Sequence, residues 1–422
     1  MKKVLLITLI LILSTIGNKV FALNQAELNG FNYLSTTQNP DGSWKGEFVT
    51  DFHSTYTVLE VFRIFNKSDS SYQMGFQWSQ AYPADNVDYL TKKIILLSEN
   101  NISPSDELAI LLSLRDIESG GWGLKEPFKG EVLDTALDLQ ALKAVNYSDQ
   151  NVISSALGYL TSNQNADGGW NYDKEMESEV YYTALVLETL SQFKSTYNLQ
   201  TSITKAVAYL ISKQNIDGSF GDPSTIYETA LAFESLVASG ADISTVAQPA
   251  INYILTNQLP NGSWNDDPYS TALALRALAN VKPNLSITSS DITFSNPTPT
   301  VGDTITITAN IKNIGPVSTE TVTVQFFDGN PDSGGLLIGE TTIPSITSYG
   351  SSQANISWTV TTASAHTIFV KIDPLNSIDE LSETDNTASK NLTSATLPDL
   401  SITSADITFN PSFPTLMDAV TV

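Results

Sequence analysis

The sequence predicts a multidomain protein in two unlike parts: an all-α half of repeated helical hairpins, then an all-β sandwich. Three observations carry this reading. A short loop motif ending in an aromatic residue recurs five times before residue 265. Apolar residues at helical spacing bracket each copy. After Lys282-Pro283 that spacing stops, and short runs of period two replace it.

In chain order, the first element is an export signal. Lys2 and Lys3 precede an apolar run over residues 4–16, and Val20-Phe21-Ala22 ends in a small residue. This is the pattern of a secretory signal peptide, residues 1–22, cleaved after Ala22. The run is short for a membrane span, which needs about 20 residues, and no Cys follows it to carry a lipid. No other stretch is apolar enough to span a bilayer. The expected location is therefore extracellular or at the cell surface. With no Cys anywhere, disulfides, thiolate ligands and thiol nucleophiles are excluded. The formal charge is −24, and loses three more positives if Lys2, Lys3 and Lys19 are removed. Such a surface repels nucleic acid and anionic lipid.

The second element is the repeat, residues 23–282. Its loops run from Gln38 to Trp44, Asp116 to Trp122, Gln164 to Trp170, Gln214 to Phe220 and Gln258 to Trp264. Asp-Gly or Asn-Gly inside four of the loops supplies the positive φ that ends one helix and turns the chain. Tyr33, Tyr159, Tyr209 and Tyr253 each lie five residues before the Gln. Downstream of each aromatic comes a Thr with a small apolar neighbour: Thr57-Val58, Thr135-Ala136, Thr183-Ala184, Thr229-Ala230 and Thr271-Ala272. Positions four and seven beyond each Thr are apolar, which is one helix face. Each unit thus reads helix, loop, helix. The aromatic packs between hairpins, and the Gln bonds backbone groups at the next helix start. One hairpin cannot bury both faces, so the units stack into an open solenoid or a ring. Trp44 and Trp122 are 78 residues apart, against 44 to 50 for later pairs, so a further degenerate hairpin lies between them with unresolved parity.

Q-x-x-D-G-S-W followed by a T-A-L helix resembles the repeat of the squalene cyclase and prenyltransferase superfamily. The resemblance implies an α/α toroid, with the Thr-bearing helices as its inner ring. The enzyme members' motifs are a test. The D-x-D-D with which squalene-hopene type cyclases protonate an alkene does not occur; Asp266-Asp267 is a bare doublet, and Asp134 and Asp138 have the wrong spacing. The zinc set of protein prenyltransferases needs Cys, and His53 is the only His in this half, so no metal site is expected. The thioester of complement-like relatives also needs Cys. No catalytic residue and no cofactor are assigned.

The position before each Thr holds Tyr56, Asp134, Tyr182, Glu228 and Ser270, at one mouth of the implied ring. Two readings are open. One is a polar, aromatic binding site for a sugar or peptide. The other is helix N-terminal chemistry, where Asp, Glu and Ser cap free N–H groups and offset the dipole. His53 beside Asp51 is a candidate base pair with no nucleophile placed near it. Asp41, Asp167 and Asp217 fit turn formation better than calcium loops.

The third element, residues 283–395, shows strand runs at 304–311, 321–326, 354–360 and 366–372, with a turn at Asp328-Gly329-Asn330-Pro331. It predicts a sandwich of about seven strands. Pro283-Asn284-Leu285, Val301-Gly302-Asp303, Asn313-Ile314-Gly315 and the acidic close Ile378-Asp379-Glu380 through Asn386 resemble the bacterial cell-adhesion-related CARDB domain. That implies an Ig-like module on surface proteins. The acidic close reads as a polar turn or a cation site. From Pro398 the chain repeats Pro283 onward, so residues 396–422 read as a second copy cut short, and the sequence as a fragment.

The expected function is a secreted or surface binding and adhesion protein with a non-catalytic toroid. Its expected partner is an extracellular glycan or protein, not nucleic acid or membrane. The alternatives are an exported enzyme of the terpene cyclase superfamily and a carbohydrate-active toroid enzyme.

Overall fold

The computed structural model describes residues 25–125 and 129–393, and of the remainder 401–408, 410, 415–417 and 419. The signal segment lies outside the described residues, as does much of the second β copy.

Twelve helices make the first part. Outer helices are α1 (25–37), α3 (Ser70–Ala81), α5 (Ser105–Ser113), α7 (Gln150–Ser162), α9 (Gln200–Ser212) and α11 (Ala247–Thr256). Inner helices are α2 (Asp51–Ile64), α4 (Val87–Glu99), α6 (Val132–Ala144), α8 (Val180–Phe193), α10 (Ile226–Ser239) and α12 (Pro268–Ala279). Each inner helix packs on the next, and α12 packs back on α2, so the stack closes into a ring of six hairpins. The long interval between Trp44 and Trp122 holds α2, α3, α4 and α5, where a later interval holds two helices. It adds one outer and one inner helix, which resolves the parity.

The loop motif explains why hairpins register. Trp44, Trp122, Trp170 and Trp264 are fully buried. Each indole N–H donates to a carbonyl of the preceding outer helix: Leu34, Leu111, Leu160 and Ile254, at 2.6–2.8 Å. The Gln amide donates twice. Gln164 Nε2 reaches Gly168 O at 2.8 Å in its own loop and Ser202 O at 2.9 Å at the start of α9. Gln38 and Gln214 do the same to Ser71 and Val246. Gln258 donates to Ala26 O at 2.8 Å, which joins the last loop to the first helix. The turn glycine is required twice over. Gly168 has φ +97°, and a Cβ there would meet Lys205 O at 2.5 Å, so only glycine lets the loop rest on α9. The Asp41 and Asp217 carboxylates accept the N–H and hydroxyl of Ser43 and Ser219 within the turn.

One register expectation is corrected. The backbone N–H of each motif aromatic donates to the hydroxyl of its helix Thr: Thr135, Thr183, Thr229 and Thr271, at 2.9–3.0 Å. In the first repeat the acceptor is Thr55, not Thr57. Its core positions are therefore Leu59 and Phe62, both buried, whereas Ile64 is exposed.

The second part is a sandwich of two four-stranded sheets. In one, β1 (Leu285–Ser286) and β2 (Ile292–Phe294) share one edge of β3 (Thr304–Asn313), and β6 (Ser351–Thr359) pairs its other edge. The other has the order β5 (Leu336–Ile343), β4 (Val322–Asp328), β7 (Ala365–Ile372), β8 (Thr387–Thr393). Alternation is legible in the burial of β3 and β7, where every second residue enters a core around Phe326, Ile307 and Val370. The acidic close grips β1. Glu380 accepts the Leu285 N–H and one Asn386 amide bond, while Asp373 accepts from Ser377 Oγ and Ile378 N. Two of these bonds run from a backbone N–H to a carboxylate and two join side chains, the pattern of a polar turn. Val317 and Tyr349 of the sandwich rest against the ring's core.

Candidate functional site

The Trp-to-Thr bond fixes the rotation of each inner helix. With Thr held at the loop, positions two before and two, five and nine after it turn towards the ring axis. The layer two before contributes His53, Leu133, Tyr181 and Tyr269; the layer two after contributes Thr57, Leu137, Leu185, Leu231 and Leu273. The layer five after is Glu60, Gln140, Glu188, Glu234 and Arg276. The layer nine after, Ile64, Ala144, Gln192, Ala238 and Asn280, reaches the other mouth.

The axis holds two chambers that share Tyr56, Glu60, Ile95, Gln140, Glu188 and Arg276. The upper chamber, about 270 Å³, lies at the helix N-termini, and the lower, about 380 Å³, at the C-termini. Between them Arg276 forms a polar crosspiece. Its Nε and Nη2 donate to Glu234, and its Nη1 donates to Glu60 Oε2 at 3.0 Å. Tyr56 Oη donates to Glu60 Oε1 at 2.8 Å. Burial pushes Glu234 up to about 7 against the pull of Arg276, and raises Glu188 as well. In the lower mouth Arg63 pairs with Glu99 at 2.5 Å, yet burial pushes Glu99 up to about 7.

The upper chamber has unlike walls. α2, α4 and α6 present His53, Asp88, Lys92 and Asp134; α8, α10 and α12 present Tyr181, Leu185, Leu231, Tyr269 and Leu273. His53 Nε2 meets Asp88 Oδ2 at 2.6 Å, and Lys92 takes the other oxygen. Burial works against ionisation of Asp88, but Lys92 and His53 outweigh it and hold the carboxyl well below its usual range. Asp134 goes the other way. Burial, then the neighbouring Glu131, pushes it up to about 8. Asp138, one turn on, is fully buried, accepts Thr91 Oγ1 at 2.5 Å and is raised far above its usual value by burial.

The structure divides the five expected site residues. Tyr56 and Asp134 line the chambers. Tyr182 stands outside the lining, edge-on to Tyr181. Glu228 bonds Thr225, the residue capping α10, and Ser270 donates its N–H to the cap Asp267 at 2.7 Å. Those two do helix N-terminal work. The His53–Asp51 pair does not form: Asp51 accepts Gly46 N–H while His53 turns to Asp88. Sequence reasoning missed the layer five after Thr. Its signal was present, because a polar residue recurs there in every repeat between the apolar positions four and seven after the Thr. Among the described residues, no group of three His, Asp or Glu is placed to hold a metal ion, and no helix is long and apolar enough to cross a membrane.

Comparison with known proteins agrees with this fold. Residues 129–276 match the squalene-hopene cyclase C-terminal domain, and residues 282–390 match the CARDB domain. The helical part is similar to the type II terpene cyclase MstE from Scytonema, solved with geranylgeranyl dihydroxybenzoate. Identity is 16%, coverage 63% of this chain and 98% of that one, and the TM-score 0.51. The apo form of that cyclase gives a TM-score of 0.50 over 61% of this chain and 98% of its own. The CARDB domain of a Pyrococcus furiosus protein, solved with di-metal ions, is 20% identical over 27% of this chain and 90% of that one, with a TM-score of 0.24. No curated protein matches the chain.

Proposed function

We propose that this chain, a terpene-cyclase-like helical ring followed by a CARDB domain, is a binding protein displayed outside the cell that takes a compact ligand into its upper chamber. Export is supported by the Lys-led apolar segment ending at Ala22. The CARDB domain supports a mount on a cell surface. One observation carries the binding reading. The ring axis is crossed at mid-height by Arg276 with Glu60 and Glu234, so no continuous apolar channel runs through it. A chamber of about 270 Å³ sits just under the roughly 300–1,000 Å³ usual for small-molecule sites. It suits one small ring or a short side chain.

The test is ligand-observed NMR of the purified chain against monosaccharides, dipeptides and small aromatic compounds. Binding of a compact member that is lost in Leu231→Trp, where the indole fills the chamber, supports the reading. No binding by any of them contradicts it.

A second reading rests on Asp134. An acid held protonated near neutrality beside a leucine-lined wall is a proton donor in form. This favours an acid-initiated cyclase. Incubation with geranylgeranyl dihydroxybenzoate distinguishes the two: a cyclised isomer formed by the wild type and absent in Asp134→Asn supports catalysis, and unchanged substrate removes it.

A further inference from the structure

We infer that the upper chamber recognises a protonated amine, with the carboxyl of Asp134 as its anchor and Tyr181 and Tyr269 on the facing wall. This rests on the reading of that chamber as a ligand site, and names the chemistry of the ligand.

The first argument is an unmet acceptor. Asp134 is 3% exposed and lines the chamber; its carboxyl pairs with Glu131, and its Oδ2 accepts no hydrogen bond from any donor. Asp138 Oδ2, one helical turn further along α6, is equally unpartnered. A buried acceptor without a donor carries a desolvation cost that a donor-bearing guest relieves.

The second argument is where the chamber's cations already point. Lys92 and His53 are held by Asp88. Arg276 is held by Glu60 and Glu234. What the polar wall offers a guest is acceptor oxygen. An ammonium brings three donors and no acceptor.

The third argument is charge. The groups around Asp134 are Glu131 and Asp138 on or beside α6, Asp88 and Lys92 on α4, and Tyr182 on α8; His53 on α2 reaches it through Asp88. Carboxylates outnumber cations in this set. The surplus is relieved at present by a proton on Asp134, while burial pushes Asp138 towards its neutral form as well; of the two, Asp134 lines the chamber. A cationic guest replaces that proton, so binding below about pH 8 releases it, and affinity rises with pH towards that value. Across the chamber, the aromatic rings of Tyr181 and Tyr269 attract a cation through their π faces, and Leu185, Leu231 and Leu273 pack an apolar body. The absence of any three-ligand cluster among the described residues points to an organic cation rather than a metal ion.

The experiment uses an isosteric pair, benzylamine and benzyl alcohol, titrated calorimetrically into the purified chain at pH 7. The expected result is benzylamine binding at least about tenfold tighter, with proton uptake by the buffer on mixing. In Asp134→Asn the two probes come within about threefold of each other, with the fold checked by an unchanged thermal melt at pH 4. Equal affinity of the two probes for wild type overturns the amine inference and leaves the chamber a neutral-ligand site. Failure of both probes to bind, with Leu231→Trp indistinguishable from wild type, overturns this inference and the ligand-site reading together.

Discussion

At the residue scale, one hydroxyl sets the phase of each inner helix. Thr183 Oγ1 accepts the Trp170 N–H at 2.9 Å in a fully buried setting. Thr183→Val keeps the volume and removes the acceptor. The expected loss is about 1–3 kcal/mol in a urea melt, the cost of an unsatisfied buried donor; a change below about 0.5 kcal/mol would contradict the role given to Thr. Asp134 makes a prediction in pH. Its folded value, about 8, exceeds its unfolded one, so the folded chain holds the proton more tightly. That stability is complete below about pH 4 and drains as pH rises through 8. Asp134→Asn therefore stays close to wild type at pH 4 and exceeds it at pH 8.5, by up to about 5 kcal/mol. Thermal melts at the two pH values check this. A variant less stable at both would show that Asp134 is ionised in the fold.

At the element scale, most of the hairpins were legible because each signal is local. The Gly turn, the indole and the apolar face lie within one hairpin. The strands over β3, β4, β6 and β7 were legible for the same reason, as their period-two runs are continuous. The phase of α2 was not. Thr55-Tyr56-Thr57 offers two threonines, and positions four and seven beyond either are apolar. Loops between aromatic and Thr vary in length, so spacing cannot choose; the bond from Trp44 N to Thr55 does. That slip of two residues hid the axial layer, because with the first repeat aligned on the wrong Thr, Glu60 does not fall beside Glu188 and Glu234. The Gln clips give an element-scale prediction. Gln258→Leu breaks the bond to Ala26 that ties the last loop to α1. Hydrogen exchange in residues 25–37 should rise about tenfold or more, while Gln214→Leu should loosen α11 instead. Equal exchange of α1 in both variants would mean the ring is not held shut there.

At the scale of the whole molecule, two cores coexist. One fills the space between inner and outer helices; the other fills the sandwich around Phe326. Contact between them is confined to a few groups such as Val317, Tyr349 and the Lys282–Asp379 pair. The parts should therefore unfold in separate calorimetric steps. Phe326→Ala should lower one step and Trp170→Ala the other, each by about 3–5 kcal/mol. A single transition moved by both would show coupling that the packing does not. Glu99 and Glu234 in the ring and Glu380 in the sandwich, all pushed by burial up to about 7, destabilise their own part as they ionise. Both steps should accordingly shift down between pH 5 and 8.

A closed ring shields a chamber with an acid kept neutral on its wall. Carbon-13 NMR of the carboxyl of Asp134, assigned by its disappearance in Asp134→Asn, tests this most directly. The expected titration midpoint is near 8. A midpoint near 4 would place the carboxyl in water and contradict it.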